Sequence, residues 1–150
     1  MNFFKEKVIQ PLLAFLKQGV TPKKMALTLS LGLVFGIFPV IGTTTLVCSA
    51  LALGFRLNMA IMQIANYLAY PFQLILLIPL MKIGTEYFGT GTVTFSLEDL
   101  IALFENNFLE ALQTVGMSQL YGVLVWAILS APLGTALYWI LFGVFRRFAK

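Results

Sequence analysis

Hydrophobic and polar positions fall along this chain in long blocks, not in strand-like alternation. Residues 3–18 place Phe3, Phe4, Val8, Leu12, Phe15 and Leu16 at helical spacing, with Lys5, Lys7 and Lys17 elsewhere around the circumference. That pattern predicts an amphipathic helix over residues 1–20 lying in a membrane interface, apolar face down and lysines near anionic headgroups. Pro11 either bends this helix or starts its better half, and Gly19 ends it. Thr21-Pro22 then reads as the N-cap and first position of the next helix.

From Met25 to Phe55 run 31 residues without a charge, with Gly32, Gly36, Pro39 and Gly42 near the middle and Arg56 directly after. A hydrocarbon core about 30 Å thick needs roughly 20 helical residues, so the run is too long for one untilted span. It is short for two, because each half, 25–38 or 43–55, reaches only about 20 Å at roughly 1.5 Å per residue. The stretch therefore predicts a helix–break–helix hairpin over residues 22–55, either re-entrant or made of two short spans. Irregular backbone at membrane depth persists only where protein or a water-filled cavity covers it, so the break marks an internal site.

Leu57–Met81 is a second uncharged stretch, of 25 residues, and predicts a tilted transmembrane helix over 57–81 bent by Pro71 and Pro79. Residues 82–116 are more polar and begin rich in glycine (Gly84, Gly89, Gly91). Within them Ser96-Leu97-Glu98-Asp99 resembles a capping box opening an amphipathic helix over 97–112, with Leu97, Leu100, Ile101, Phe104, Phe108 and Leu112 on one side. Ser118 is placed to cap a last apolar helix over 118–147, which contains Pro132 and Gly134. Ala131-Pro132-Leu133-Gly134-Thr135 loosely echoes Phe38-Pro39-Val40-Ile41-Gly42-Thr43. The echo has two readings, a second broken helix in an inverted repeat or a simple proline kink. The expected fold class is all-α, a polytopic integral membrane protein with one membrane domain, residues 21–150.

Composition agrees: 59% of residues are hydrophobic and 11% charged, and the mean hydropathy is +0.91, as in an integral membrane chain. The net charge of +4 raises the question of nucleic acid, but the basic residues flank apolar runs and form no patch. They set topology instead. If the hairpin turns back, Lys5, Lys7, Lys17, Lys23, Lys24, Arg56, Arg146, Arg147 and Lys150 share one side, leaving Lys82 on the other. The positive-inside rule then puts both termini in the cytoplasm and residues 82–116 outside. No cleavable signal peptide is expected. A bundle this small is expected to bury remaining surface in a homo-oligomer or against a membrane partner.

The chain has no histidine and one cysteine, Cys48, which removes zinc sites, intrachain disulfides and histidine-based triads. Glu98, Asp99, Glu105 and Glu110 lack the spacing of a calcium loop and read as a solvated helix face. No metal, cofactor or catalytic residue is expected, and no enzyme. Binding candidates gather at the hairpin, where Pro39 removes a donor, Gly42 admits unusual backbone, and Thr43, Thr44 and Thr45 open the second half-helix. Free N–H groups and the positive helix end there suit a phosphate or carboxylate. In the alternative reading, Gly32-xxx-Gly36 only allows close helix packing and Thr43 only caps. At about 100° per residue, Gln63, Asn66, Tyr70 and Gln73 fall within an arc of roughly 80°. That stripe serves either interhelical hydrogen bonds or a substrate. Arg56 either anchors the chain at the cytoplasmic interface or meets a lipid phosphate.

Together, Pro22, Ala26, Gly32-xxx-Gly36-xx-Pro39-xx-Gly42, Thr44 and Phe55-Arg56-Leu57-Asn58 resemble the bacterial membrane family known as domain of unknown function 2062. The resemblance covers about Thr21 to Phe88, with a looser match in the last helix, and adds Asn58 to the candidate site. Many members continue with Asn-Pro-x-Thr where this chain has Tyr70-Pro71-Phe72-Gln73, so Pro71 is kept and its polar neighbours differ, as in a divergent branch. Some members are joined to glycosyltransferase domains, which implies a setting in the bacterial inner membrane near lipid-linked sugars or envelope polymers. Two functions are expected from residues and resemblance together. One is carrier-like handling of an anionic lipid or small anion at the broken helix; the other is a non-catalytic scaffold or accessory subunit for an envelope enzyme.

Overall fold

A computed structural model describes residues 3, 5–89 and 96–148, without the side chains of Lys5, Val8, Leu16 and Leu97. Gly91 in the segment read as extracytoplasmic, and Lys150 in the charge count, lie outside the described residues. Every regular element among those described is helical. A π-helical turn, Lys5–Ile9, leads into α1 (Gln10–Lys17), followed by α2 (Pro22–Gly36), α3 (Thr44–Gly54), α4 (Met59–Phe88), α5 (Leu97–Asn106) and α6 (Phe108–Phe148).

Local chemistry sets most of these boundaries. The Thr21 hydroxyl accepts from the Lys24 N–H at 3.3 Å, and Pro22 fills the first helical position, where its missing N–H costs nothing. Pro39 cannot continue α2, and the chain leaves the helix at Ile37. Gly42 then takes φ +86° to turn the chain into α3. Two helices end on a left-handed residue, and the N–H after it reaches back to the carbonyl five residues before. In α1 that residue is Gly19 (φ +95°), with Val20 N–H on the Phe15 carbonyl at 3.2 Å. In α3 it is Arg56 (φ +53°), with Leu57 N–H on Ala52 at 2.8 Å and Arg56 N–H on Leu53 at 3.3 Å.

Helix directions follow from close approaches. A side chain added at Gly32 would put its Cβ 2.6 Å from Ala65 Cβ, and one at Gly36 2.6 Å from Ala69 Cβ, so α2 and α4 run the same way in near backbone contact. Helix α6 runs opposite, since Gln119 reaches Pro39, Trp126 reaches Val34, and Phe145 packs with Met25. The chain has thus turned back through α3 before α4 begins. Met25, Ala26, Leu29, Ile61, Ala65 and Phe145 form one core cluster, so the exposed Lys23, Lys24, Arg56, Arg146 and Arg147 gather at that end of the bundle.

Several boundaries differ from those read in the sequence. Leu12, Phe15 and Val20 pack against the basic-end core, so the apolar side of α1 meets the bundle. Helix α4 continues past Met81 to Phe88: Lys82 stays exposed, and the backbone of Tyr121 and Gly122 occupies the space where a side chain on Gly84 would sit. The amphipathic helix stops at Asn106, because Asn107 turns extended and its side chain accepts from the Glu110 N–H at 3.3 Å, capping the next helix. That helix, α6, therefore starts at Phe108. Ser118 lies buried inside it and donates to the Thr114 carbonyl at 2.8 Å instead of capping. The Pro132 echo of the hairpin lies within continuous helix.

The surface of the bundle is apolar. Tyr67, Phe72, Ile75, Trp139 and Ile140 are each well over half exposed. Two helices, α4 and α6, are long and apolar enough to cross a membrane. Only 6% of the most apolar 18-residue stretch of α6 is buried, which sets it apart from the core helix of a soluble domain.

Candidate functional site

The break between α2 and α3 leaves carbonyls without helical partners, and side chains from two other helices take them up. Gln73 Nε2 of α4 donates to the Phe38 carbonyl at 2.6 Å. From α6, Gln119 Nε2 donates to the Pro39 carbonyl, and Trp126 Nε1 donates to the Val34 carbonyl at 3.1 Å. Trp126 also meets Phe35 and Phe38 edge-on, at 5.2 and 4.9 Å between ring centres. Pro39 is fully buried under this cover.

Gln73 is itself completely buried, and its Oε1 has no hydrogen-bond partner. The amide orientation follows from its neighbour, because a flip would set Oε1 against the Phe38 carbonyl oxygen. Below it, a second polar layer joins α3 to α4. Gln63 Nε2 donates to Ser49 Oγ at 2.9 Å and to the Thr45 carbonyl at 3.3 Å. Asn66 Nδ2 donates to Gln63 Oε1 at 3.1 Å and Thr45 Oγ1 at 3.3 Å. Gly32 and Gly36 let α2 lie directly on α4, which brings Gln73 within reach of the turn.

The predicted residues thus separate. Gln63, Asn66 and Gln73 face protein, but Tyr70 is 45% exposed and does not join them. In the α3–α4 register set by Ser49 and Thr45, Tyr70 lies one turn past Asn66, beyond the start of α3, and has no helix opposite. The three threonines do not converge on one point. Thr43 Oγ1 turns back to the Val40 carbonyl at 2.9 Å, Thr44 is buried, and Thr45 is exposed and bonded to Asn66. With no side-chain cap from Thr43, the first N–H groups of α3 keep their helix-end polarity. Gly42 is exposed with open space around its α-carbon, so its φ, not crowding, requires glycine. Asn58 caps α4, accepting from the Ile61 N–H at 3.1 Å, and Arg56 stands exposed at the basic end.

Gln119, Trp126 and Ser49 carry no weight in the sequence reading, yet they complete both layers. Gln119 is the sole amide side chain in residues 118–147 and sits seven positions, nearly two full turns, before Trp126. A lone amide and an indole sharing one face of an apolar helix were the available signal.

The family described as "Uncharacterized protein conserved in bacteria (DUF2062)" matches residues 5–150 of the chain. No curated protein and no solved structure matches it.

Proposed function

We propose that this chain, which belongs to the DUF2062 family of bacterial proteins, is an inner-membrane protein that moves an anionic lipid or small anion past the break between α2 and α3. The observation that carries this reading is the buried, unpartnered Oε1 of Gln73 beside unwound backbone. A buried acceptor left without a donor costs about 1–3 kcal/mol. The Nε2 of Gln73 serves the Phe38 carbonyl, but that bond alone gives no use to Oε1. A polar atom kept in this state fits a site with an occupant or a second conformation that pairs it.

In this reading α6 is the moving part. Its hold on the turn is the Gln119 amide, the Trp126 indole and the edge-on contacts of Trp126 with Phe35 and Phe38, and a shift of α6 withdraws both side-chain donors from the Pro39 and Val34 carbonyls. The uncapped start of α3 offers N–H groups and a positive helix end to an anion. Arg56, with Lys23 and Lys24 at the same end, draws the anion toward the bundle. In proteoliposomes carrying fluorescent phosphatidylglycerol or a chloride-sensitive dye, the wild-type protein is expected to move one of the two probes. Gln73→Leu and Pro39→Ala should each slow that movement about tenfold or more. Unchanged flux in both variants, or flux of neither probe in the wild type, contradicts the reading.

A second reading is a scaffold or accessory subunit. It draws on the ridge of Ile101, Phe104, Phe108, Leu109 and Leu112, all exposed along α5 and the start of α6. A stoichiometric crosslinked partner together with no flux supports it.

A further inference from the structure

A cleft of about 370 Å³ lies between α2 and α6, lined by Leu27, Leu31, Phe35, Gly134 and Tyr138 among others. Its serine and threonine hydroxyls already donate within their own helices. Ser30 Oγ donates to the Leu27 carbonyl at 3.1 Å, Ser130 Oγ to Ala127 at 2.9 Å, and Thr135 Oγ1 to Ala131 at 2.8 Å. What remains toward the cleft is mostly carbon, with the Tyr138 phenol among its lining, so its occupant is largely apolar there.

Gly134 separates this cleft from a packing seam. A Cβ added at Gly32 or Gly36 would collide with α4, whereas one at Gly134 would meet its nearest neighbour, Val34 Cγ2, at 3.6 Å, an ordinary contact. Glycine at 134 therefore leaves space open instead of bringing two backbones together. From Leu27 to Phe35 the cleft follows α2 for about 12 Å at roughly 1.5 Å per residue. That length suits one leaflet of a hydrocarbon core about 30 Å thick. Before Leu27, α2 begins with Lys23 and Lys24, and beyond Tyr138, α6 ends with Arg146 and Arg147, all four exposed.

We infer that this cleft seats one acyl chain of an anionic phospholipid, whose phosphate lies among Lys23, Lys24, Arg146 and Arg147. The cleft adjoins the broken helix at Val34 and Phe35 and extends from there toward the basic end. The lipid site rests on the membrane reading of α4 and α6 but not on transport.

Trp126 provides the test, because Phe35 both lines the cleft and meets the Trp126 ring. The only other tryptophan is Trp139, which is 62% exposed on the outer surface. In Trp139→Phe protein reconstituted in vesicles, phosphatidylglycerol brominated in its acyl chains should quench Trp126 saturably at low mole fraction. Brominated phosphatidylcholine should quench it only in proportion to its abundance. Gly134→Leu, which fills the cleft, should remove the saturable part, and joint replacement of the four cations by glutamine should remove the preference for the anionic lipid. Trp126→Phe protein reports on Trp139, which both lipids should quench alike if the bundle is in the bilayer. Equal, linear quenching of Trp126 by both lipids, or saturable quenching that survives Gly134→Leu, overturns the proposal. So does disulfide-linked dimer formation by Ser130→Cys protein, which would give the cleft to a second copy.

Discussion

Arg56 and Gly19 occupy equivalent positions at the ends of α3 and α1, both left-handed and both followed by an N–H that bonds to the carbonyl five residues before it. The left-handed region costs an L-residue roughly 1–2 kcal/mol, which glycine largely avoids. Arg56→Gly is therefore expected to raise stability by about 1 kcal/mol in detergent, read as a higher midpoint of thermal unfolding. It should lower any anion-dependent flux. Gly19→Ala is expected to lose about the same amount. A loss of stability in Arg56→Gly would remove the argument that backbone strain is kept there for the guanidinium. Gly19 was legible as a helix terminator, while the conformation of Arg56 was not, because an arginine gives no sign of positive φ. Tyr70 marks another limit at this scale. A helical wheel puts it on the polar stripe, and only the short reach of α3 leaves it exposed.

At the scale of elements, composition located the helices better than their ends. Phe104, Phe108 and Leu112 keep helical spacing straight across the break at Asn107, so periodicity reads α5 and the start of α6 as one helix. The cap decides otherwise, since Asn107 serves the helix after it. Asn107→Ala should cost about 1 kcal/mol, the ordinary price of losing an N-cap. Ser118→Ala, which alters an internal hydroxyl bonded within its own helix, should change stability by less than about 0.5 kcal/mol. Equal losses in thermal unfolding would place the helix start elsewhere. The broken hairpin was legible because Gly32, Gly36, Pro39 and Gly42 are all visible as residue types. Its cover was not, because the partners of the turn on α6 lie 80 and 92 positions away in sequence.

For the whole molecule, one geometric result organises the rest: α2 and α4 run in the same direction, so the chain returns through α3 and the cations collect at one end. The positive-inside count also put Lys23, Lys24, Arg56, Arg146 and Arg147 together, since Arg56 is stranded if Met25–Phe55 is one crossing. Neither charge nor hydropathy could place the Gln73 layer, which depends on how closely glycine lets two helices approach. The most direct test of the returning hairpin is side-specific labelling in sealed, oriented vesicles. A membrane-impermeant maleimide would be applied to single-cysteine variants at Lys24, Arg56, Arg147 and Lys82, each in a Cys48→Ala background. The account predicts that positions 24, 56 and 147 label from one side and position 82 from the other. Labelling of positions 24 and 56 from opposite sides would make residues 25–55 a single crossing and contradict it.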